Sequence, residues 1–363
     1  MLEPKTRWVL KEINEGLGEQ FANELQLSPL LTRLLLIRGI DSIEKATAFL
    51  YGEEKDFYDP FLLSDMDKAI QRTREAIEYG EPILIYGDYD ADGVTSTSIL
   101  VHTLRKAGAV FQYYIPNRFT EGYGLNGEAL RKAAEKGFAV VITVDTGISA
   151  VKEAELAKEL GLDLIITDHH EPPQEIPDAF AVINPKKPGC TYPFPMLAGA
   201  GVAFKFAHAL FGSFPHFVLD IAGVGTIADL VPLVDENRLL AKYGLQAIDQ
   251  STNPGIQALK KVCGVNGAAT AYHVGFGMGP RINASGRLES ADRAVKLLTT
   301  HSEEEAERYA NELDLLNKER QLLVDSITQE AMKSVEELPD EQRKVLVVAG
   351  EEWNEGVIGI VAS

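Results

Sequence analysis

The spacing of apolar and polar positions changes character near residue 82. Before it, apolar side chains recur at helical steps. Leu30, Leu31, Leu34, Leu35 and Leu36 cluster ahead of Gly39, and Asp41-Ser42-Ile43-Glu44 reads as a helix start. Residues 1–75 are therefore expected to form a helical lead-in without chemistry of its own. From residue 82, short apolar runs alternate with amphipathic stretches. The runs are Ile83–Tyr86, Phe111–Ile115, Val140–Val144, Leu164–Ile166 and Phe180–Ile183; the stretches between them are Val94–Lys106, Gly127–Lys136 and Ala150–Leu160. Continuous apolar runs separated by helix-length segments predict a parallel sheet buried on both faces by helices, an α/β fold. Residues from about 197 to 300 read as helical again. Ser302 to Glu337 predicts one long polar helix, with Ala306, Tyr309, Ala310, Leu313, Leu316, Leu323 and Ile327 at three- and four-residue steps. Arg343–Gly350 reads as a new strand and Gly356–Ser363 as the first turns of a helix, the start of a second α/β domain.

In open α/β sheets ligands sit beyond the carboxyl ends of the strands. Three apolar runs lead directly into candidate chemistry. The first is followed by Asp88-Tyr89-Asp90-Ala91-Asp92-Gly93, the third by Asp145-Thr146-Gly147, and the fourth by Asp168-His169-His170. One acid at a strand end is usually a turn former or helix cap. Three acid-rich ends on one rim, one with paired histidines, point to a metal site. Asp88, Asp90 and Asp92 fall at alternate positions, and an extended loop would turn their carboxylates to one side. Oxygen ligands with one or two imidazoles suit Mn²⁺ or Mg²⁺. Two such ions about 4 Å apart serve phosphoryl transfer. Asp229 is the lone acid in the apolar stretch Ile221–Leu230, where burial is costly without a partner or a cation; ligand and helix-cap readings are evenly matched there.

Composition narrows the alternatives. The chain of 363 residues has length for two or three domains at about 150 residues each. No stretch reaches ~18 uninterrupted apolar residues, which argues against a membrane span. The N-terminus lacks a secretory signal pattern. The two cysteines, Cys190 and Cys263, build neither a disulfide framework nor a zinc site. A cytoplasmic location is expected. No G-x-S-x-G elbow, G-x-G-x-x-G fingerprint or Walker A loop is present. The net charge of −19 opposes a nucleic-acid partner when averaged over the chain. Residues 237–300, however, carry eight basic and three acidic side chains. The chain is thus expected to admit one strand along a local basic track rather than to coat DNA.

The ordered motifs resemble those of the DHH phosphoesterase family. Ile115–Arg118, Gly199–Lys205, Asp229–Leu233 and Gly279–Leu288 (GPRINASGRL) resemble its RecJ-type branch of single-strand-specific exonucleases. The resemblance implies a two-metal 5′→3′ exonuclease that releases mononucleotides from single-stranded DNA in repair and recombination. It implies Asp90, Asp92, Asp145, His169 and Asp229 as ligands, Asp88 as a further candidate, and Asp145 as the bridge between ions. His170 would lie beside the phosphate as donor or would orient His169. Arg118, Arg281, Ser285 and Arg287 would hold substrate, the alternative for Arg281 and Arg287 being a solvated surface or a structural ion pair. Many smaller family members place a histidine four residues before the first acid of the pair; here Tyr86 precedes Asp90 by four and Leu84 precedes Asp88 by four.

By the same resemblance residues 76–240 would be the DHH catalytic domain, 241–300 a helical basic segment, 301–340 a connecting helix, and 341–363 the start of a DHH-associated domain. RecJ-type chains continue from there into a glycine-rich substrate motif and an OB-type domain, so the sequence reads as C-terminally truncated. A single-strand-binding protein or a helicase is the expected protein partner. Two competing readings are a DHH hydrolase of oligoribonucleotides, cyclic dinucleotides or pyrophosphate, and a non-catalytic scaffold that keeps the fold.

Overall fold

The computed structural model describes residue 7, residues 9–336 and residues 345–363. Five strands form one parallel sheet: β1 (Ile83–Tyr86), β2 (Phe111–Tyr114), β3 (Val140–Val144), β4 (Asp163–Thr167) and β5 (Ala181–Ile183). Their order is β2-β1-β3-β4-β5, so the direction of winding reverses between β1 and β3. In this topology the crevice between the ends of those two strands is the natural ligand site.

The alternation of side chains along each strand explains why the runs are apolar throughout. Ile83, Ile85, Ile142, Val144 and Ile165 face a large helical layer that includes Ala91–Lys106, Gly199–Phe211, Leu219–Ala228 and Asp235–Gln250. Leu84, Tyr86, Val141, Leu164 and Ile166 face the opposite layer, made by Gly127–Glu135 and Val151–Glu159. Both faces are thus covered, as the sequence predicts.

In the N-terminal part, helices Glu15–Glu24, Pro29–Ile37 and Ile43–Tyr51 enclose a small core of Phe21, Leu35, Ile40 and Ala46. Ser28 and Ser42 cap the second and third through their side chains. Beyond the sheet, the long helix spans Glu303–Glu336 and packs on helices Pro254–Val262, Gly279–Leu288 and Asp292–Thr299. Glu337 and residues 343–344, parts of the expected helix and strand, lie outside the described residues. Residues 345–350 are not a strand. They pair with no strand among the described residues, and Val345 and Val347 remain exposed.

One boundary matters for the chemistry. The helix after β1 begins at Ala91, not Val94, because Asp90 is its N-cap: the Asp90 Oδ1 accepts the backbone N–H groups of Asp92 (2.9 Å) and Gly93 (3.0 Å). The acidic motif is therefore half turn and half helix, not one extended loop.

Candidate metal centre

That helical start splits the acidic trio. Asp92 lies in the first helical turn. Its carboxylate accepts the N–H groups of Gly199 (2.6 Å) and Ala200 (2.7 Å), at the start of helix Gly199–Phe211. It joins His169 and Asp229 in one cluster of potential ligand atoms, while Asp88 and Asp90 join Asp145 in another. A third group, Asp145, His169 and His170, links the two. In each group the ligand atoms lie within 4.8 Å of one another. All six acids and histidines expected as metal ligands thus meet at the β1–β3 crevice, with His170 beside them. The converging alternate positions expected of an extended loop are replaced by this two-sided arrangement.

The turn after β3 places Asp145 centrally. Asp145 has a left-handed backbone, φ +59°, a conformation Asp and Asn tolerate better than other side chains. The Thr143 hydroxyl donates to the Thr146 carbonyl (2.7 Å) and ties the turn down. Gly199 then makes room: a Cβ there would lie 2.6 Å from the Asp145 Oδ1. This assigns a physical reason to Gly199, the first small residue of the Gly199-Ala200-Gly201 stretch.

His169 is the hub. Its Nε2 lies 3.1 Å from Asp145, 3.6 Å from Asp92 and 3.8 Å from Asp229. Burial, with His170 beside it, pushes the His169 pKa down to about 4, so the imidazole is neutral and able to ligate. The acids move the other way. Burial and the nearby Asp90 push Asp88 up to about 7 and Asp229 up to about 6. Burial and Asp92 hold Asp145 well above the usual carboxylate range, and burial and Asp229 do so for Asp92. The Oδ1 atoms of Asp88 and Asp145 are buried without a hydrogen-bond partner. Buried, mutually repelling carboxylates with orphaned oxygens around a neutral imidazole are a donor set that divalent cations fit.

Asp168 serves a different purpose. It accepts from the N–H groups of Ile148 (2.8 Å) and His169 (2.7 Å), and holds the His170 Nδ1 at 2.7 Å. Burial opposes its ionisation, but these bonds, led by the His170 contact, bring its pKa below the ordinary value. The same bond, against burial, raises that of His170. The His170 Nε2 faces outward, 3.5 Å from the Tyr123 hydroxyl.

The residues expected to grip substrate separate into two sets. Arg118 stacks over Tyr89, 4.4 Å from the ring centre, and its charge reaches Asp88. Arg287 is half-buried within electrostatic reach of Arg118, Arg320 and Asp90, and donates to the Gly356 carbonyl (3.0 Å). Arg281, by contrast, is engaged by Asp314 (2.8 Å) and by the carbonyls of Gly277 (2.9 Å) and Val262 (3.3 Å). Ser285 is fully buried, its hydroxyl donating to the Ile282 carbonyl (2.7 Å). The GPRINASGRL helix instead meets the acidic turn through Asn283, whose Oδ1 accepts the Ala91 N–H (2.9 Å), and through Gly286, where any Cβ would collide with the Tyr89 carbonyl. Arg320 and Tyr123 had no sequence signal, since each lies in a stretch where charge or aromaticity is ordinary. Asn283 sits inside a motif read for its cations.

Comparison with known proteins identifies the family. The DHH family, N-terminal domain, is matched over residues 82–228. The chain is 52% identical over its whole length to the single-stranded-DNA-specific exonuclease RecJ of Bacillus subtilis (strain 168), covering 46% of that protein. A crystal structure of exonuclease RecJ bound to manganese is similar with TM-score 0.76 and 37% identity, over 83% of this chain and 76% of that one. The structure of RecJ with Mn²⁺ from Thermus thermophilus is similar with TM-score 0.82 and 32% identity, over 97% and 51%. The chain spans about half the length of the curated relatives it matches. It belongs to the DHH family, in the RecJ branch.

Proposed function

We propose that this chain carries the catalytic centre of a metal-dependent 5′→3′ exonuclease that hydrolyses single-stranded DNA to mononucleotides in repair and recombination. The observation that carries the reading is the linked set of three ligand groups around Asp145 and His169, with buried, unpartnered carboxylate oxygens. The RecJ structures described with manganese support it.

Asp92, His169 and Asp229 would hold one ion, Asp88 and Asp90 the other, and Asp145 would be shared. Bound there, Mn²⁺ or Mg²⁺ supplies Lewis-acid charge and lowers the pKa of a coordinated water. The protein's own groups do the rest. Asp168 fixes the His170 ring and favours its protonated form, so its Nε2–H is set to donate to a phosphate oxygen. Arg118 and Arg287, with Arg320 beside them, form a cationic rim that draws the phosphate chain to the acids without neutralising them. Arg281 and Ser285 act by holding the helix that presents Arg287 and Asn283. The partners this reading calls for are single-stranded DNA and a single-strand-binding protein or helicase that exposes it, in the cytoplasm. Among the described residues no helix is long and apolar enough to cross a membrane.

Digestion of 5′- and 3′-blocked single strands with Mn²⁺ tests the proposal, beside short RNA and pyrophosphate. The expected result is release of mononucleotides from a free 5′ end, abolished by Asp145→Ala. Turnover retained in that variant, or confined to short RNA or pyrophosphate, refutes it.

A further inference from the structure

The ends of β1, β3 and β4 carry the acids and histidines of the centre, and the end of β5 brings a cation to the same rim. Asn184, Pro185 and Lys186 follow β5 directly. This segment is tied to the histidine turn. The Asp168 N–H donates to the Ile183 carbonyl (3.0 Å). The buried Asn184 side chain donates to the His170 carbonyl (2.9 Å) and accepts the Lys186 N–H (2.8 Å). The backbone of Lys186 is thus fixed beside Asp168-His169-His170. The two adjacent lysines have different surroundings. Lys187 is held within the fold by Asp65 (2.6 Å) and the Val182 carbonyl (2.8 Å). The charge of Lys186 bears on both His169 and Asp229.

Lys186 pairs with Glu171 at 2.9 Å, and the two side chains differ in exposure, 18% for the lysine and 82% for the glutamate. The cation is largely covered, while the carboxylate that meets it is solvated. A solvated carboxylate is a weak partner, and a phosphate oxygen can replace it in a charge-assisted bond. The position of Lys186 also complements the arginines. Arg118 bears on Asp88, and Arg287, near Arg118 and Arg320, bears on Asp90. The cationic groups bearing on Asp229 are instead His170 and Lys186. A strand crossing this ring of acids carries a negative charge at every linkage. Arginines on the Asp88 and Asp90 flank leave the linkage on the Asp229 flank to Lys186.

We infer that Lys186 is a substrate-binding residue that holds a backbone phosphate on the Asp229 flank of the centre, and that Glu171 is its resting counter-ion, displaced when the strand enters. This rests on the exonuclease reading above and deepens it by assigning a second phosphate contact opposite the arginines. Glu171 competes with the strand for one ammonium group. Removing the lysine and removing the glutamate therefore have opposite effects on strand affinity, whereas a purely structural ion pair would make both losses harmful.

The test measures affinity by fluorescence anisotropy for a phosphorothioate hexanucleotide with Mn²⁺, on the whole chain. K186M is expected to weaken binding about ten- to a hundredfold, the loss of one hydrogen bond to a charged group. Its log affinity should also fall less steeply with log salt, by about 0.7 for one lost phosphate contact on a single strand. K186R should stay close to the unsubstituted protein, and E171Q should bind about two- to fivefold more tightly. A methylphosphonate, which carries no charge, placed in turn at each of the first three linkages should reveal one position at which K186M no longer matters. Urea midpoints check that the variants are folded. Strand affinity that survives K186M in a folded protein overturns the inference. So do E171Q weakening binding as K186M does, a K186M effect that persists at all three neutral linkages, and a K186M effect seen only in Mn²⁺ affinity by calorimetry. Failure of the unsubstituted chain to release mononucleotides from an ordinary strand, with binding still dependent on Lys186, would strike the exonuclease reading and leave the phosphate contact standing.

Discussion

Asp145→Asn should make the metal-free protein more stable and should forfeit most of the stabilisation that metal gives the wild type. Asp145 is 2% exposed, and its Oδ1 lies 3.1 Å from the His169 Nε2 without hydrogen-bonding geometry. An unsatisfied buried oxygen costs about 1–3 kcal/mol, more when it is charged. Asparagine has the same shape, accepts the φ of +59° at this position, carries no charge, and adds an N–H donor facing Asp92 and the imidazole. Without metal, a gain of about 1–3 kcal/mol is therefore expected. Its pH dependence follows from the sign of the shift. Folding raises the Asp145 pKa, so the folded state binds a proton that the unfolded state has released. Wild-type stability then falls as pH rises from the ordinary carboxylate value through the folded one, whereas asparagine has no such slope. The advantage of the asparagine variant should grow from pH 5 to pH 9. With Mn²⁺ at a hundredfold excess over its dissociation constant the wild type gains about 2.7 kcal/mol, most of which the variant forfeits. Urea unfolding with EDTA and with Mn²⁺, at both pH values, checks all of this. A variant less stable than wild type in EDTA, or an advantage that does not shrink by about 2 kcal/mol with Mn²⁺, refutes the account of the site as a repulsive cluster awaiting cations.

Two further outcomes follow from the same geometry. Lys205 and Glu236 form a fully buried ion pair, completed by the Tyr58 N–H (2.9 Å) and carbonyl (2.7 Å) and by the Tyr192 hydroxyl. Lys205→Met should cost about 3–5 kcal/mol in urea unfolding because it strands Glu236, while K205M/E236L should recover much of that; equal losses in both variants would contradict it. Metal binding must displace protons from Asp88 and Asp229, held near about 7 and about 6, so Mn²⁺ affinity should rise from pH 5 to pH 8. Calorimetry in buffers of different ionisation enthalpy should detect the released protons, and a pH-independent affinity without release would refute the shifts.

Much of this was legible in the chain because strand periodicity and strand ends are local properties. Five apolar runs coincide within a residue or so with the observed strands, and the chemistry lies just beyond them. One error at the site, an extended loop over Asp88–Asp92, came from reading spacing without the cap. Whether Asp90 begins a helix depends on which N–H groups its carboxylate accepts, and residue type alone does not settle that. The cations show a similar limit. Arg281 and Arg287 stand six apart in one motif, yet Asp314, on a helix far along the chain, takes the first and leaves the second at the site.

The sequence by itself determined the parallel sheet, the rim on which the acids and histidines sit, and the type of cation they suit. These follow from periodicity and donor chemistry, which are carried residue by residue. The tertiary structure decided how the acids divide between two clusters, which arginines face them, and that the charge of Lys186 bears on Asp229. Those are matters of distance between residues remote in sequence, and only packing brings them together: Gly199 beside Asp145, Asn283 on the Ala91 amide, Asp314 against Arg281.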